Sequence, residues 1–317
     1  MKWHPETVLE HIPEFDFNHL IYDHPEEICA YKTYYGLDFE NRFDGFQYAV
    51  GYQNQGPFKI VFHLFQLPEA KGTVYLQHGY YDHVGIYNHV IEHCLEQGFN
   101  VFSYDLPGHG LSSGERAGIQ SFQQYDDVFA AGLSQVQQHL PGPIVAMGQS
   151  TGGAVIINYL LSRGLTRHTS PFANVLLLAP LVRPVNWNRS VLFYFLARPF
   201  ISQMKRAFAQ NSNNQTFLTF LSEHDPLQPL FLKTSWVGAL HKWIQFIENC
   251  APVDLDVTIV QGTDDGTVDY RHNMVVLKEK FSGFNVHYIE DGRHHLVNED
   301  AEKLQQVFQC LTPLIKA

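Results

Sequence analysis

The stretch that decides the fold of this chain is Ile144-Val145-Ala146-Met147-Gly148-Gln149-Ser150-Thr151-Gly152-Gly153-Ala154-Val155. An apolar run leads directly into a G-x-S-x-G motif, and the following residues leave it as a helix. In a strand–turn–helix, this motif is a strained turn that lifts the serine above a sheet. So sharp a turn leaves no room for side chains at Gly148 and Gly152. The first N–H groups of the new helix point at the place where an oxyanion would form. Ser150 is therefore the predicted nucleophile.

A second G-x-S-x-G match, Gly110-Leu111-Ser112-Ser113-Gly114, lacks this context. The strand before it has already ended near Asp105, and the residues after Gly114 continue as a polar loop. Because no strand leads in and no helix leads out, we expect Ser112 to be passive.

Short apolar runs alternate with helical patterns on both sides of Ser150. Predicted strands lie at 46–53, 59–67, 73–77, 100–104, 143–147, 174–178, 257–261 and 285–289, with the first two paired. Predicted helices include 86–97, 121–140 and 301–314, and the second opens with a capping-box pattern at Ser121. Near-continuous apolar strands suit a parallel sheet covered on both faces. The fold class is therefore α/β, with a mostly parallel, doubly wound sheet of about eight strands.

The alternation breaks between Leu181 and Asn249, a stretch with several aromatic residues, helix-like pieces and no clear strand. We expect residues 183–248 to form a mainly helical cap above the sheet, with 1–182 and 249–317 as the core. Aromatic side chains of the cap, such as Trp187, Phe200 and Trp236, could line a slot for an acyl chain. For any single one of them, packing of the cap onto the core is the better explanation.

Composition narrows the possible partners and the location. The 317 residues are 45% hydrophobic and 17% charged, with a formal net charge of −11, which argues against nucleic acid and against electrostatic docking on anionic lipid. At most transient contact with a membrane surface is expected, and the oligomeric state stays open. The four cysteines are dispersed without metal-site or disulfide spacing. With no secretory signal pattern and no apolar run of about 20 residues, the expected location is cytoplasmic.

A nucleophilic serine needs a histidine as its base, and the histidine needs a carboxylate. Two loops after predicted strands offer these groups in the required chain order, and each offers two neighbours: Asp264 or Asp265, and His294 or His295. Both loops follow the carboxyl ends of strands, the edge where open α/β sheets place their sites. The residues alone leave the choice within each pair open.

From His78 to the C-terminus, the sequence resembles the monoacylglycerol lipase and bacterial lysophospholipase branch of the α/β hydrolases. Five short motifs, in the order typical of that family, carry the resemblance: His78-Gly79-Tyr80-Tyr81-Asp82-His83, Asp105-Leu106-Pro107-Gly108-His109-Gly110-Leu111-Ser112, Gly148-Gln149-Ser150-Thr151-Gly152-Gly153, His224-Asp225-Pro226-Leu227 with Trp236 downstream, and Gly292-Arg293-His294-His295-Leu296-Val297-Asn298-Glu299. Each motif alone is weak, but together they are specific. The resemblance implies the α/β-hydrolase fold.

The resemblance also selects one residue from each pair. In that family the acid is the fourth residue of a G-x-x-D turn, which implies Asp265, and the base follows small-small-Arg, which implies His294. The oxyanion donors would be the backbone N–H groups of Tyr80 and Thr151, with His78 as a structural neighbour. Two positions depart from the family: Gln149 and Thr151 stand where relatives commonly have His and Met.

The implied reaction is two-step hydrolysis of a carboxyl ester through an acyl-enzyme, without metal or organic cofactor. The implied substrates are lipids with a single acyl chain, either monoacylglycerol or lysophospholipid. Aminopeptidase, thioesterase and short-chain esterase activities on the same triad remain alternatives, because one fold hosts all of them. A ligand-binding protein without catalysis is a further alternative, against which the complete triad argues.

Overall fold

An eight-stranded sheet forms the centre of the computed structural model, which describes residues 3–316. In chain order the strands are β1 (Gln47–Gln55), β2 (Phe58–Gln66), β3 (Thr73–Gln77), β4 (Asn100–Tyr104), β5 (Ile144–Gln149), β6 (Asn174–Leu178), β7 (Gln203–Lys205), β8 (Phe231–Lys233), β9 (Val253–Gly262) and β10 (Phe281–Ile289). Two of these described strands, β7 and β8, form a separate small sheet. The order across the large sheet is β1-β2-β4-β3-β5-β6-β9-β10. Within this sheet, β2 is antiparallel to its neighbours β1 and β4, and the other described pairs are parallel. The predicted mostly parallel sheet is confirmed.

Helices cover both faces of the sheet. They are α1 (Pro5–His11), α2 (Glu26–Tyr35), α3 (Asn88–Glu96), α4 (Phe122–His139), α5 (Thr151–Ser162), α6 (Trp187–Ala197), α7 (Gln215–Thr219), α8 (Thr234–Asn249), α9 (Tyr270–Lys280) and α10 (Ala301–Lys316). The predicted capping box is present at Ser121, which precedes α4. Among residues 3–316, no helix is both long and apolar enough to cross a bilayer. The cytoplasmic location stays a prediction.

The alternation of side chains along the strands divides the core into two layers. On β3, Tyr75 belongs to one buried cluster, while Val74 and Leu76 belong to the other. The first cluster includes side chains of α4, α5, α8 and α9, and the second includes side chains of α2, α3 and α10. Because both faces are covered, the inner strands read as continuous apolar runs, which is why their positions are visible in the sequence.

The sequence patterns did not predict α1, α2 or α9. The buried face of α2 contains Tyr31 and Tyr35, whose polar ends weaken the apolar stripe that marks a helix. The end of α2 is easier to recognise in the sequence than its buried face, because it is followed by Gly36, which adopts the left-handed conformation with φ of 67°. Tyr35 contacts a residue far along the chain, because its Oη donates to Asp225 Oδ1 at 2.6 Å. The N-terminal segment therefore contacts the stretch predicted to form the cap.

Residues 183–248 contain α6, α7 and α8, but also strands β7 and β8, which pair antiparallel. The sequence shows no clear strand here, because strands of three residues are too short to leave a recognisable alternation. Helix α8 packs into the core: the ring of Trp243 stacks on that of Phe122 with centroids 4.6 Å apart. Helix α6, by contrast, leaves Leu192 and Leu196 exposed. The stretch thus has one anchored helix and one exposed helix.

Ser112, in the second G-x-S-x-G match, joins β2 to the loop after β4. Its Oγ donates to Asp105 O at 2.7 Å and accepts from Val61 N at 2.9 Å. Both hydrogen bonds are buried, so the hydroxyl satisfies two backbone groups that water cannot reach. The side chain is held in place by the fold.

Replacement of Ser112 by alanine should lower the free energy of unfolding by about 1–3 kcal/mol, because it leaves two buried backbone groups without a partner. Ser113→Ala is the matched control. Ser113 Oγ accepts from Lys59 N at 2.7 Å, but the residue is exposed and water can replace it. We expect that control to cost less than about 1 kcal/mol. Urea unfolding followed by circular dichroism measures both values, and equal stability of Ser112→Ala and wild type would contradict this role.

Candidate active site

The turn that carries Ser150 holds a non-glycine residue at positive φ. Ser150 has φ of 54° and ψ of −114°, between the end of β5 and the first residue of α5. A Cβ atom on Gly148 would lie 2.6 Å from the carbonyl carbon of Gly152, and one on Gly152 would lie 2.3 Å from Gln77 O. Glycine is therefore required at both positions, as the motif predicts. The turn is anchored to β6, because Ser150 N donates to Leu178 O at 2.8 Å.

The structure brings three of the predicted side chains into one hydrogen-bonded row. Ser150 Oγ lies 2.8 Å from His294 Nε2, and His294 Nδ1 lies 2.8 Å from Asp265 Oδ2. A carboxylate accepts only, so the Nδ1–H donates to Asp265 and leaves Nε2 free to accept the serine proton. All three residues are buried. This is the geometry of an activated hydroxyl.

The two neighbours take different positions. Asp264 turns to solvent, with a side chain 64% exposed and Oδ2 3.4 Å from Arg293 Nε. His295 is buried beside another carboxylate, with Nε2 3.1 Å from Asp82 Oδ2. Neither residue joins the row that contains Ser150. Adjacent residues of a loop point in different directions, so only one residue of each pair can reach the hydrogen-bonded row that contains Ser150.

The charges of the row stabilise each other. Burial alone would raise the pKa of Asp265, but His294 and the N–H groups of Val268 and Thr267 lower it below its usual value. Burial alone would lower the pKa of His294, but Asp265 raises it above the usual value. The carboxylate therefore stays ionised and favours the imidazolium that forms when the serine loses its proton.

Two glutamines hold the predicted acid and the predicted base, and the sequence reasoning missed both contacts. Gln149 Nε2 donates to His294 O at 2.8 Å. Gln261 Nε2 donates to Asp265 Oδ2 at 3.0 Å. Both residues are fully buried at the ends of strands β5 and β9. An amide at the end of an otherwise apolar strand was the available signal, because a buried polar group needs a partner.

The predicted oxyanion donors are the backbone N–H groups of Thr151, which follows the nucleophile, and of Tyr80. Thr151 is the first residue of α5, so its N–H has no partner inside the helix. Tyr80 follows Gly79, where an added Cβ atom would lie 3.4 Å from Ser150 Cβ. Within residues 3–316, neither N–H donates a hydrogen bond to another group of the protein. Both are thus available to an oxygen bound beside Ser150.

His78 is engaged at both ring nitrogens. Its Nε2 accepts from Leu106 N at 2.8 Å, and its Nδ1 donates to Gly79 O at 2.8 Å. Burial lowers the pKa of His78, so the ring is neutral. It fixes the carbonyl that precedes Tyr80 N, which is the role of a structural neighbour.

A cavity of about 280 Å³ lies above Ser150. One part of its wall is apolar and includes Leu181, Trp187, Leu232, Trp236 and Val237; the polar part includes Asp82, Arg206 and Asn211. The ring of Trp236 stacks on that of Tyr80 at 3.8 Å between centroids. Phe200, by contrast, is 86% exposed and lines no part of it. In the described part of the chain, no three His, Cys, Asp or Glu side chains are grouped as metal ligands.

Comparisons with known proteins match most of the chain. The family model for serine aminopeptidase, S33, matches residues 68–301. The monoglyceride lipase of Rattus norvegicus is 22% identical over 238 residues, which cover 73% of this chain and 77% of the relative. The crystal structure of Paleococcus ferrophilus monoacylglycerol lipase is similar with a TM-score of 0.68 at 20% identity, covering 81% of this chain and 98% of that one. A soluble variant of monoglyceride lipase from Saccharomyces cerevisiae, in complex with a substrate analogue, gives 0.70 at 18% identity, covering 83% and 93%.

The structural likeness shows the fold, and the family model spans well over half of the chain. The resemblance found in the five motifs is therefore confirmed at the level of the family. This chain belongs to the serine aminopeptidase S33 family of α/β hydrolases and is a serine ester hydrolase.

Proposed function

We propose that this chain hydrolyses carboxyl esters of lipids with a single acyl chain, monoacylglycerol or lysophospholipid. The observation that carries the proposal is the 2.8 Å contact between Ser150 Oγ and His294 Nε2 beside a largely apolar cavity. An activated hydroxyl supplies the chemistry, and the apolar wall suits an acyl chain. The relatives named monoglyceride lipase support the same substrate class.

The proposed reaction begins when Ser150 Oγ attacks the ester carbonyl carbon and His294 Nε2 takes the serine proton. The N–H groups of Tyr80 and Thr151 stabilise the oxyanion of the tetrahedral intermediate. His294 then gives the proton to the leaving oxygen, so the alcohol departs and an acyl-enzyme remains. Water, deprotonated by His294, repeats the sequence and releases the fatty acid. Asp265 holds the imidazole and stabilises its charged form in both steps.

The charges around the cavity favour an ester over a peptide with a free amino terminus. Such a terminus is a cation and would need an unpaired carboxylate. Within residues 3–316, Asp82 is the one carboxylate in the cavity wall, and it already lies 3.1 Å from His295 Nε2 and accepts from Tyr87 Oη. Arg206 in the same wall would repel an amine. These features support the esterase over the aminopeptidase alternative.

The proposal includes a cap at residues 183–248 that selects the acyl chain. A second cavity of about 280 Å³ lies inside this stretch, with a wall that includes Phe193, Tyr194 and Met204. It shares Ser190, Leu232 and Val237 with the cavity above Ser150. An acyl chain that passes these three residues gains about 0.8 kcal/mol per buried CH₂. Medium and long chains should therefore be favoured over acetate.

The triad is tested by labelling and substitution. A fluorophosphonate probe should modify Ser150 and no other serine, located by mass spectrometry. Ser150→Ala should lower kcat by about 10⁴-fold or more, and Asp265→Asn and His294→Ala by at least about 10³-fold. Asp264→Asn is the matched control, with an expected loss below about tenfold because its side chain faces solvent. A large loss in Asp264→Asn with near-normal Asp265→Asn would reverse the assignment of the acid.

The pH dependence follows from the raised pKa of His294. His294 must be neutral to accept the serine proton, so kcat/KM should rise with pH. Its midpoint should lie above the ordinary imidazole value of about 6.5. In Asp265→Asn, the carboxylate that raises this pKa is gone, so the midpoint of the residual activity should move to lower pH. A stopped-flow pH profile measures both, and a wild-type midpoint well below 6.5 would be inconsistent with the geometry.

The cap is tested with p-nitrophenyl esters of increasing chain length. Wild type should favour dodecanoate over acetate in kcat/KM. Val237 lines both cavities, so Val237→Trp places a large side chain where an acyl chain would have to cross from one to the other, and this ratio should fall by at least about tenfold. Val275→Trp, at a position 58% exposed on α9, is the matched control and should keep the ratio. An unchanged ratio in Val237→Trp would remove the proposed role of the second cavity. Faster cleavage of an aminoacyl-arylamide than of any ester would favour the aminopeptidase.

A further inference from the structure

Arg206 is the one Lys or Arg in the wall of the cavity above Ser150, among the residues the structure describes. Its guanidinium carbon lies 4.0 Å from the ring centre of Tyr81 and 4.4 Å from that of Phe208. Its Nη1 donates to Gln228 Oε1 at 2.7 Å and to Pro229 O at 3.4 Å. Two rings and two oxygens therefore fix the guanidinium in place, while its Nε and Nη2 donate to no group of the described chain.

This cation has no counterion of its own. No Asp or Glu oxygen within residues 3–316 lies within 4.0 Å of it. The carboxylates that influence it from farther away are Asp82 and Asp225. Each is already paired with a histidine: Asp82 with His295 at 3.1 Å and Asp225 with His83 at 2.9 Å. A partly buried guanidinium that is always charged and lacks a carboxylate favours an anionic ligand.

Arg206 lines the cavity above Ser150 but not the second, apolar cavity. It lines a further small cavity together with Gln210 and Asn211, and none of these residues lines the second apolar cavity. Asn211 also contacts the loop that carries His294, because its carbonyl accepts from His295 N at 2.7 Å. An acyl chain that extended into the second cavity would thus leave its head group in the cavity that Arg206 lines.

Arg206 is also linked to the proposed oxyanion donor Tyr80 through the ring of Tyr81. The ring of Tyr81, which faces the guanidinium, lies 4.0 Å from the ring of Tyr80 between centroids. Tyr81 has φ of 70°, a left-handed conformation that a tyrosine adopts only when its surroundings enforce it. Contacts from Arg206 therefore extend to the loop that carries the N–H of Tyr80.

We propose that Arg206 binds the phosphate of an anionic lysophospholipid and so determines the head group. The inference rests on the proposed function and narrows its substrate class from two alternatives to one. The guanidinium presents donors in a planar fork that matches two phosphate oxygens, which the neutral glycerol of a monoacylglycerol lacks. The overall charge of −11 opposes docking on an anionic surface, but a single phosphate within the cavity meets a local cation.

The kinetic test compares lauroyl-lysophosphatidic acid with monolauroylglycerol, both below their critical micelle concentrations. Wild type should favour the anionic ester in kcat/KM. In Arg206→Gln, the ratio of the two kcat/KM values should fall by at least about tenfold, the size of a lost charge-assisted hydrogen bond. Arg206→Lys keeps the charge without the fork and should retain part of the preference. Lys205→Gln, at the exposed neighbour in β7, is the matched control and should retain all of it. A ratio unchanged in Arg206→Gln would overturn the proposal.

A binding test separates this inference from the proposed function. Ser150→Ala would be titrated calorimetrically with dodecyl phosphate, 1-O-dodecylglycerol and inorganic phosphate. Dodecyl phosphate should bind at least about tenfold more tightly than the glycerol ether, and Ser150→Ala/Arg206→Gln should lose this preference. Equal affinity for both amphiphiles, or inorganic phosphate binding as tightly as dodecyl phosphate, would overturn it. If wild type cleaves no lipid ester while the phosphate preference persists, the proposed function fails and the Arg206 site stands.

Discussion

The close approach of Gly148 to Gly152 is the constraint on which the rest of the site depends. It holds Ser150 at φ of 54°, a conformation that costs about 1–3 kcal/mol and persists only because β5 and α5 enforce it. The strain has two results: the hydroxyl stands clear of the sheet edge, and the N–H of Thr151 faces the same space. Every other catalytic feature is arranged around that hydroxyl, because β5 lies between β3 and β6 and cannot shift.

Buried contacts between a carboxylate and a histidine organise the segments around the nucleophile. Residues 79–83 carry one proposed oxyanion donor and contact two other segments. Asp82 contacts His295, in the loop that carries His294, and His83 contacts Asp225 of the proposed cap. Tyr35 adds a contact from the N-terminal helix to the same Asp225. A buried pair contributes little net stability but costs several kcal/mol when one partner is lost. These contacts therefore fix positions, and they link the proposed cap, the proposed oxyanion donor and the proposed base.

The proposed cap combines two surfaces of different character. Trp236 and Trp243 anchor α8 to the core, while Leu232 and Val237 line both the cavity above Ser150 and the second cavity. Arg206 supplies a cation whose neighbouring carboxylates are already paired. A wall that is apolar at one end and cationic at the other matches a molecule with a long chain and an anionic head. Selectivity would then arise from charge as well as from chain length.

Periodicity and motif order in the sequence determined the sheet, the position of Ser150 and the family, because these features depend on residues close along the chain. Strands β3, β4 and β6 begin and end at the residues predicted for them. The choice of Asp265 over Asp264 needed the family resemblance, since both follow the same strand. Only the tertiary structure decided the roles of Gln149, Gln261 and Arg206, and only it revealed the short strands of the cap. Gln149 and His294 are 145 residues apart, Arg206 and Gln228 are 22 apart, and the strands β7 and β8 are too short to leave a pattern, so no local spacing records them. Gln261 lies only four residues from Asp265, but whether the two side chains meet depends on how the loop after β9 folds.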